Sequence, residues 1–150
     1  MIVVRPAVPE DAELFADKLR PEDAAECFLW GAAPADTIKE AMAAAVGAWA
    51  ALDDGEPVAI YGLSNYPPLL TYGLFWTWTT PLFEGRRMAL LRHNRDFLKW
   101  ALTIFPHLHN YVDARHPCAV AWARRLGFTV HPPACCSAGP FVHRIEMSAP

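Results

Sequence analysis

Asn110-Tyr-Val-Asp-Ala-Arg-His-Pro-Cys-Ala-Val-Ala-Trp-Ala-Arg-Arg-Leu-Gly-Phe-Thr-Val130 is the stretch on which the fold turns. Asn110–Ala114 reads as a short strand, and Pro117 restarts the chain as a helix where a missing N–H costs nothing. That helix carries Val120, Trp122 and Leu126. Arg124 and Arg125 lie beside the negative dipole end, Gly127 suits a left-handed stop, and Phe128 is placed to fold back onto Trp122 or Ala123. Thr129–His131 then opens a closing strand pair with Phe141–Met147, across a Pro/Cys/Gly loop.

Working upstream, Arg86 to Phe105 repeats apolar residues at Leu90, Phe97, Ala101 and Ile104, the period of a long helix. Gly73–Thr79 is aromatic and β-branched, which predicts a central strand with Leu74, Trp76 and Trp78 on one face. Ala48–Leu52 and Pro57–Leu63 flank Asp53-Asp54-Gly55 as a β-hairpin, and residues 65–68 follow as a loop. Further back, Thr37 and Glu40 have capping-box spacing ahead of an amphipathic stripe ended by Gly47. Glu22–Trp30 predicts a short helix stopped by Gly31, with Ala24, Cys27 and Phe28 on one side. Ile2–Ala7 predicts a strand, and Pro9-Glu-Asp opens a helix burying Ala12, Phe15 and Leu19.

The 150 residues, 53% hydrophobic and 19% charged, match one domain with an ordinary core. A net charge of −3 offers no sequence-wide attraction to phosphate backbones or acidic lipids, so nucleic acid and membrane are not expected partners. No apolar run approaches the ~18 residues of a membrane span, and the opening residues do not read as a secretion signal. Cys27, Cys118, Cys135 and Cys136 read as reduced thiols, the adjacent pair being too strained to bridge.

The order of elements resembles the GNAT N-acetyltransferase fold across the whole chain. Ala119, followed eight residues later by Gly127-Phe128, looks like that superfamily's closing motif, and Val4-Arg-Pro-Ala7 with Glu10-Asp-Ala12 looks like its opening. The resemblance implies a single α/β (α+β) domain over residues 1–150. Its sheet is expected to be mixed, mostly antiparallel and twisted, of about six or seven strands flanked by four or five helices. Leu19-Arg-Pro-Glu-Asp23 with Glu26, Pro57-Val-Ala-Ile60 and Phe105-Pro-His-Leu-His-Asn-Tyr-Val112 are similar to a phage branch. Its members are acetyltransferase-like or internal virion proteins of short-tailed phages, which implies virion or host proteins as partners and the host cytoplasm or the virion as location.

Working members hold the acetyl-CoA pyrophosphate on an Arg/Gln-x-x-Gly-x-Gly/Ala turn before the long helix, where bare N–H groups suit an anion. Here the turn is Thr80-Pro-Leu-Phe-Glu-Gly-Arg-Arg-Met-Ala89, with Gly85 and Ala89 as its small residues and Glu84 adding negative charge. Thr79, Thr80, Arg86, Arg87, Met88 and Ala89 are the candidates for touching CoA. The Tyr that often protonates the leaving thiolate is replaced by Ala123, His116 stands where Asn is frequent, and Trp76-Thr-Trp-Thr79 has no titratable base. Glu26 and His116 remain as candidate catalytic groups. These departures imply a degenerate, protein-binding member; the alternative is an acetyl-CoA-dependent N-acetyltransferase acting on a protein or small-molecule amine.

Other groupings were weighed. His107, His109, His116, Cys118, His131, Cys135, Cys136 and His143 crowd the last third, but no Cys-x2-Cys or His-x3-His pair occurs, so no metal is expected. Cys118 at a helix start reads as a packed small residue rather than a nucleophile. Asp23 and Glu26, one helical turn apart, read as amine-receiving or, more simply, as a solvated face. Trp30, Trp49, Trp76, Trp78 and Trp100 read as core or contact surface, modestly favouring a partner-binding role.

Overall fold

The turn at Asp54-Gly55 starts the sheet. Both residues hold positive φ, 49° and 85°, the backbone of a type I′ turn whose twist matches the strands it joins. The computed structural model describes residues 1–29, 31–66, 69–135 and 141–150. Its elements run β1 (Ile2–Pro6), α1 (Asp11–Ala16), α2 (Pro21–Leu29), α3 (Pro34–Ala43), β2 (Ala45–Asp53), β3 (Glu56–Tyr66) and β4 (Leu69–Thr79). There follow α4 (Phe83–Ile104), β5 (His107–Asp113), α5 (Pro117–Leu126), β6 (Thr129–Val130), β7 (Ala134–Cys135) and β8 (Phe141–Ser148).

The strands form one eight-stranded sheet in the order β1-β2-β3-β4-β5-β8-β6, with β7 also on β8. β4 and β5 pair parallel, as a crossover through α4 requires. β1 with β2, β2 with β3, and each of β5, β6 and β7 with β8 are antiparallel. The expected mixed, mostly antiparallel α/β sheet is therefore present, with five helices. The added strand is β7, which pairs residues expected to be loop. Contacts cluster into two units, residues 1–65 with 76–93, and residues 66–75 with 94–150.

In the first unit Ala12, Phe15, Cys27, Ile38, Ala50, Leu52, Ile60, Trp76 and Trp78 form the core. Burying each large member contributes about 1.5–3 kcal/mol. Trp76 and Trp78 are packed here, 5.0 Å between ring centroids, and are not a contact surface. Trp76 lies over Gly62, where an added Cβ would meet the indole at 2.2 Å, and its Nε1 donates to Ser64 Oγ at 3.1 Å. In the second unit Phe75 stacks on Phe128 at 5.7 Å and meets Phe97 at 5.9 Å. Gly127, at φ 105°, closes α5. Its N–H donates to the Arg124 carbonyl and the Phe128 N–H to the Ala123 carbonyl, both at 3.0 Å, the paired bonds of a Schellman stop.

Four local expectations are corrected. Thr37 does not cap α3: Pro34 begins the helix after the extended Ala33, and Thr37 Oγ1 donates back to the Ala33 carbonyl at 3.1 Å. Gly47 does not end it either, because pairing with β3 captures the chain from Ala45 and places an irregularity between Ala45 and Gly47. Phe28 and Ile104, expected on buried stripes, are 62% and 40% exposed. The chain is strand, not loop, through Tyr66. Pro67, Pro68, Trp30 and Cys136 lie outside the described residues.

Asp11 is a buried carboxylate that Arg5 grips with two bonds of 2.8 Å, while the Val8 N–H donates a third of the same length. Burial alone would raise its pKa, but the Arg5 and Val8 bonds outweigh it and hold the carboxyl below its ordinary value. A carboxyl lowered in the folded state stabilises fully above its unfolded pKa, about 3.9, and loses that stabilisation as pH falls through the folded value. Urea midpoints should therefore drop more steeply below about pH 4 in the wild type than in Asp11→Asn. Gly62→Ala should destabilise by about 1–3 kcal/mol and shift tryptophan emission. Gly85→Ala, which meets nothing within 4 Å, should be neutral or stabilising by about 0.5–1 kcal/mol in the same titration.

Candidate functional site

The turn between β4 and α4 lies in the first unit, and its two threonines are fully engaged. Thr79 donates its N–H (2.8 Å) and its hydroxyl (2.7 Å) to one oxygen of Asp23, which also takes Arg20 Nε at 3.4 Å. Thr80 donates its hydroxyl to the Pro57 carbonyl at 2.7 Å and its N–H to Val58 at 3.0 Å, while its own carbonyl accepts the Phe83 N–H. Both threonines are buried. α4 thus begins at Phe83 rather than Arg86 because Thr80 receives its first turn. Asp23 is neither a solvated face nor an open amine receiver; it is the buried acceptor for the strand end. No sequence pattern flags this pairing of residues 56 apart.

Beyond the threonines the start of α4 is exposed. Arg86 Nε donates to Asp53 Oδ2, and Arg87 donates to Glu84 at 3.2 Å. Glu84 also lies 3.8 Å from the Arg20 guanidinium, which sits over the Phe83 ring at 5.8 Å. Met88 and Ala89 face outward. Glu26 is half-buried one turn past Asp23. Beside it Cys27 is buried, and desolvation, then the Glu26 charge, push its thiol up to about 11, which keeps it protonated and unreactive. The candidate cofactor residues are therefore together in one place: the hydroxyl and N–H groups of both threonines have acceptors within the protein, and Arg86 and Arg87 each donate to a carboxylate.

The second unit holds His116, the residue before α5. Its Nε2 is 3.9 Å from Asp113, too long for a hydrogen bond. Asp113 is gripped by Arg115 through Nε (3.1 Å), Nη2 (2.7 Å) and the backbone N–H (2.9 Å). These bonds with Arg115, opposed by burial, hold the carboxyl below its usual value. Ala123 is buried. Cys118 is exposed rather than packed. His131 Nε2 lies 2.8 Å from Glu146, which Arg144 also meets at 2.7 Å, and His143 Nδ1 is 2.7 Å from the His131 carbonyl. His107 Nδ1 lies 2.9 Å from Ser148 Oγ, and Tyr72 stacks on His107 at 4.8 Å. The histidines thus fall into two groups, His131 and His143 around Glu146 and Arg144, and His107 and His109 around Tyr72. Among the described residues no three His, Cys, Asp or Glu side chains gather as a metal site, and no helix is long and apolar enough to cross a membrane.

Solved structures place this geometry. The chain aligns with an acetyltransferase of the GNAT family from Streptococcus pneumoniae over 99% of its own length and all of that chain, at TM-score 0.71 and 15% identity. The fold is that of the GNAT acetyltransferases. A GNAT-family acetyltransferase from Bacillus anthracis matches at TM-score 0.73 and 9% identity, covering 98% of this chain and 94% of that one. Spermidine N-acetyltransferase from Vibrio cholerae, solved with CoA and spermine, matches at 0.69 and 15%, covering 98% and 95%. No protein-family model matches the chain, and no curated protein matches it in sequence. Within the GNAT fold, the turn before the long helix is the place where this chain spends its polar groups on Asp23 and β3.

Asp23→Ala leaves the buried Thr79 N–H and hydroxyl without an acceptor and should cost about 2–3 kcal/mol in urea unfolding. Asp23→Asn, which keeps one acceptor oxygen, should lose less.

Proposed function

We propose that this chain is an acetyltransferase-like protein that uses the GNAT fold as a scaffold for protein contacts rather than for acetyl transfer. The observation that carries the reading is the closed turn at the start of α4. Thr79 and Thr80 donate to Asp23, Pro57 and Val58, and the first turn presents the Glu84 carboxylate. A pyrophosphate needs donors with no other acceptor and no adjacent negative charge. Ala123 in place of a proton donor, and the 3.9 Å between His116 Nε2 and the Asp113 carboxylate, support the same conclusion. The resemblance of Leu19–Asp23 with Glu26, Pro57–Ile60 and Phe105–Val112 to a phage branch is the ground for placing the protein in or on a virion or in the host cytoplasm, with virion or host proteins as partners.

The second reading, an acetyl-CoA-dependent N-acetyltransferase with Glu26 or His116 moving protons, draws on the exposed Arg86 and Arg87 at the helix start. Should CoA bind, Arg86, Arg87 and the Met88–Ala89 backbone would hold its phosphates, and the thioester would supply the acetyl group. Calorimetric titration with acetyl-CoA separates the two readings. The expected result is no saturable heat up to millimolar ligand, the same for wild type and Arg86→Glu. Micromolar, saturable binding that Arg86→Glu weakens overturns the non-catalytic reading.

A further inference from the structure

Charge is divided unevenly between the two units. Residues 1–65 with 76–93 hold seven Lys and Arg against thirteen Asp and Glu, a net of −6, and residues 66–75 with 94–150 hold six against three, a net of +3; together they make the chain's −3. Within the second unit Asp113 is gripped by Arg115, and Glu146 by Arg144 and His131. That leaves Asp96 against Arg95, Lys99, Arg124 and Arg125. These four cations are exposed, and Arg95 Nη2 donates to the Arg125 carbonyl at 2.9 Å, so the end of α5 lies against the part of α4 that carries Arg95 and Lys99. In the first unit Glu10, Glu13 and Asp17 are exposed at helical spacing along α1, and Asp36 and Glu40 one turn apart on α3. Lys39 of α3 reaches Glu13 at 3.0 Å, which joins the two helices into one acidic face. We infer that a second copy of this chain docks through these surfaces, the basic α4–α5 face of one copy against the acidic α1–α3 face of another.

Neither face is accounted for inside the protein. Arg124 and Arg125 complement the negative end of α5, yet the last carbonyls there are already met, Ala123 by the Phe128 N–H, Arg124 by the Gly127 N–H and Arg125 by Arg95. Among the described residues Lys99 and Arg124 have no ion-pair partner, and neither have Glu10, Asp17, Asp36 and Glu40. Like charges gathered on one face repel each other, and a face of opposite sign removes that cost while speeding encounter. The second copy is the occupant because every molecule already carries the complementary face. A nucleic acid would meet the same four cations on a chain whose net charge, −3, repels it. Each exposed ion pair is weak alone, so the contact depends on several acting together and is screened by salt over about 8 Å at physiological ionic strength. The inference goes beyond the scaffold reading above, since a contact between copies holds or fails whatever the acetyl-CoA titration gives.

The test is sedimentation equilibrium of the full chain over a concentration series. The wild type should exceed its monomer mass at about 50 mM salt and return to it at about 0.5 M. Lys99→Glu with Arg124→Glu, which reverses charge on the basic face, should weaken association about tenfold or more. Asp17→Lys with Glu40→Lys, placed toward helix ends where a cation suits the dipole, should do the same on the acidic face. An equal mixture of the two double variants should associate again, because the first keeps the acidic face and the second the basic one. A wild type that stays monomeric throughout, a mass that neither salt nor the variants change, or a mixture that stays monomeric overturns the inference. A monomeric wild type that binds a mixed-sequence DNA oligonucleotide, with binding lost in Lys99→Glu with Arg124→Glu, also overturns it and assigns the basic face to nucleic acid. Should a double variant fail to fold, Lys99→Gln and Asp17→Asn take its place, and each should weaken association about twofold to fivefold; no change in either overturns the inference.

Discussion

The interaction on which the central region depends is the buried carboxylate of Asp23 receiving the end of β4. A carboxylate at 8% exposure needs hydrogen-bond partners to offset its burial, and here Thr79 and Arg20 converge on one of its oxygens. The reverse dependence is equally strong. The Arg20 N–H donates to the Thr79 carbonyl at 3.0 Å, so the chain entering α2 and the chain leaving β4 hold each other by backbone and side chain together. Thr80 then turns toward β3 and passes its carbonyl to Phe83, which fixes where α4 can start. Strand end, helix start and α2 are set by one small group of bonds.

The second unit is organised by shape rather than charge. Gly127 ends α5 in a conformation that a side chain rarely adopts, and the chain leaving it delivers Phe128 to the face of Phe75. A helix stop thereby becomes a packing contact with the central strand. The same strand passes its carbonyl at Phe75 to Asn110, so one residue joins an aromatic stack and a side-chain amide.

How much was legible in the sequence follows the range of the interactions. The α5 unit was legible almost to the residue, because Pro117, Arg124, Arg125, Gly127 and Phe128 act within one or two turns of each other. The hairpin at Asp54-Gly55 was legible for the same reason. Thr37 and Gly47 misled because a strand partner and an upstream proline outweigh local propensity. Phe28 sits at helical spacing from Ala24 yet lies outside the buried face. The tryptophans of β4 were legible as strand residues, but only packing against Gly62 and Ala50 places them in the core. At the candidate site, the weak glycine pattern and Ala123 were visible as departures. The use of Thr79 by Asp23 was not, since nothing in either residue's neighbourhood points to the other.

The pairing of Arg86 with Asp53, and of Arg87 with Glu84, has a consequence for any anion arriving at the start of α4. It would find no cation shielded only by water. Binding there is a competition between counter-ions, in which an incoming phosphate shares or displaces a carboxylate tethered to the same chain and therefore present at high local concentration. Affinity would rest on the difference between two similar charge pairs. Added salt would weaken the existing pair and the incoming one alike, leaving a site whose discrimination is governed by competition inside the protein rather than by attraction across the solvent.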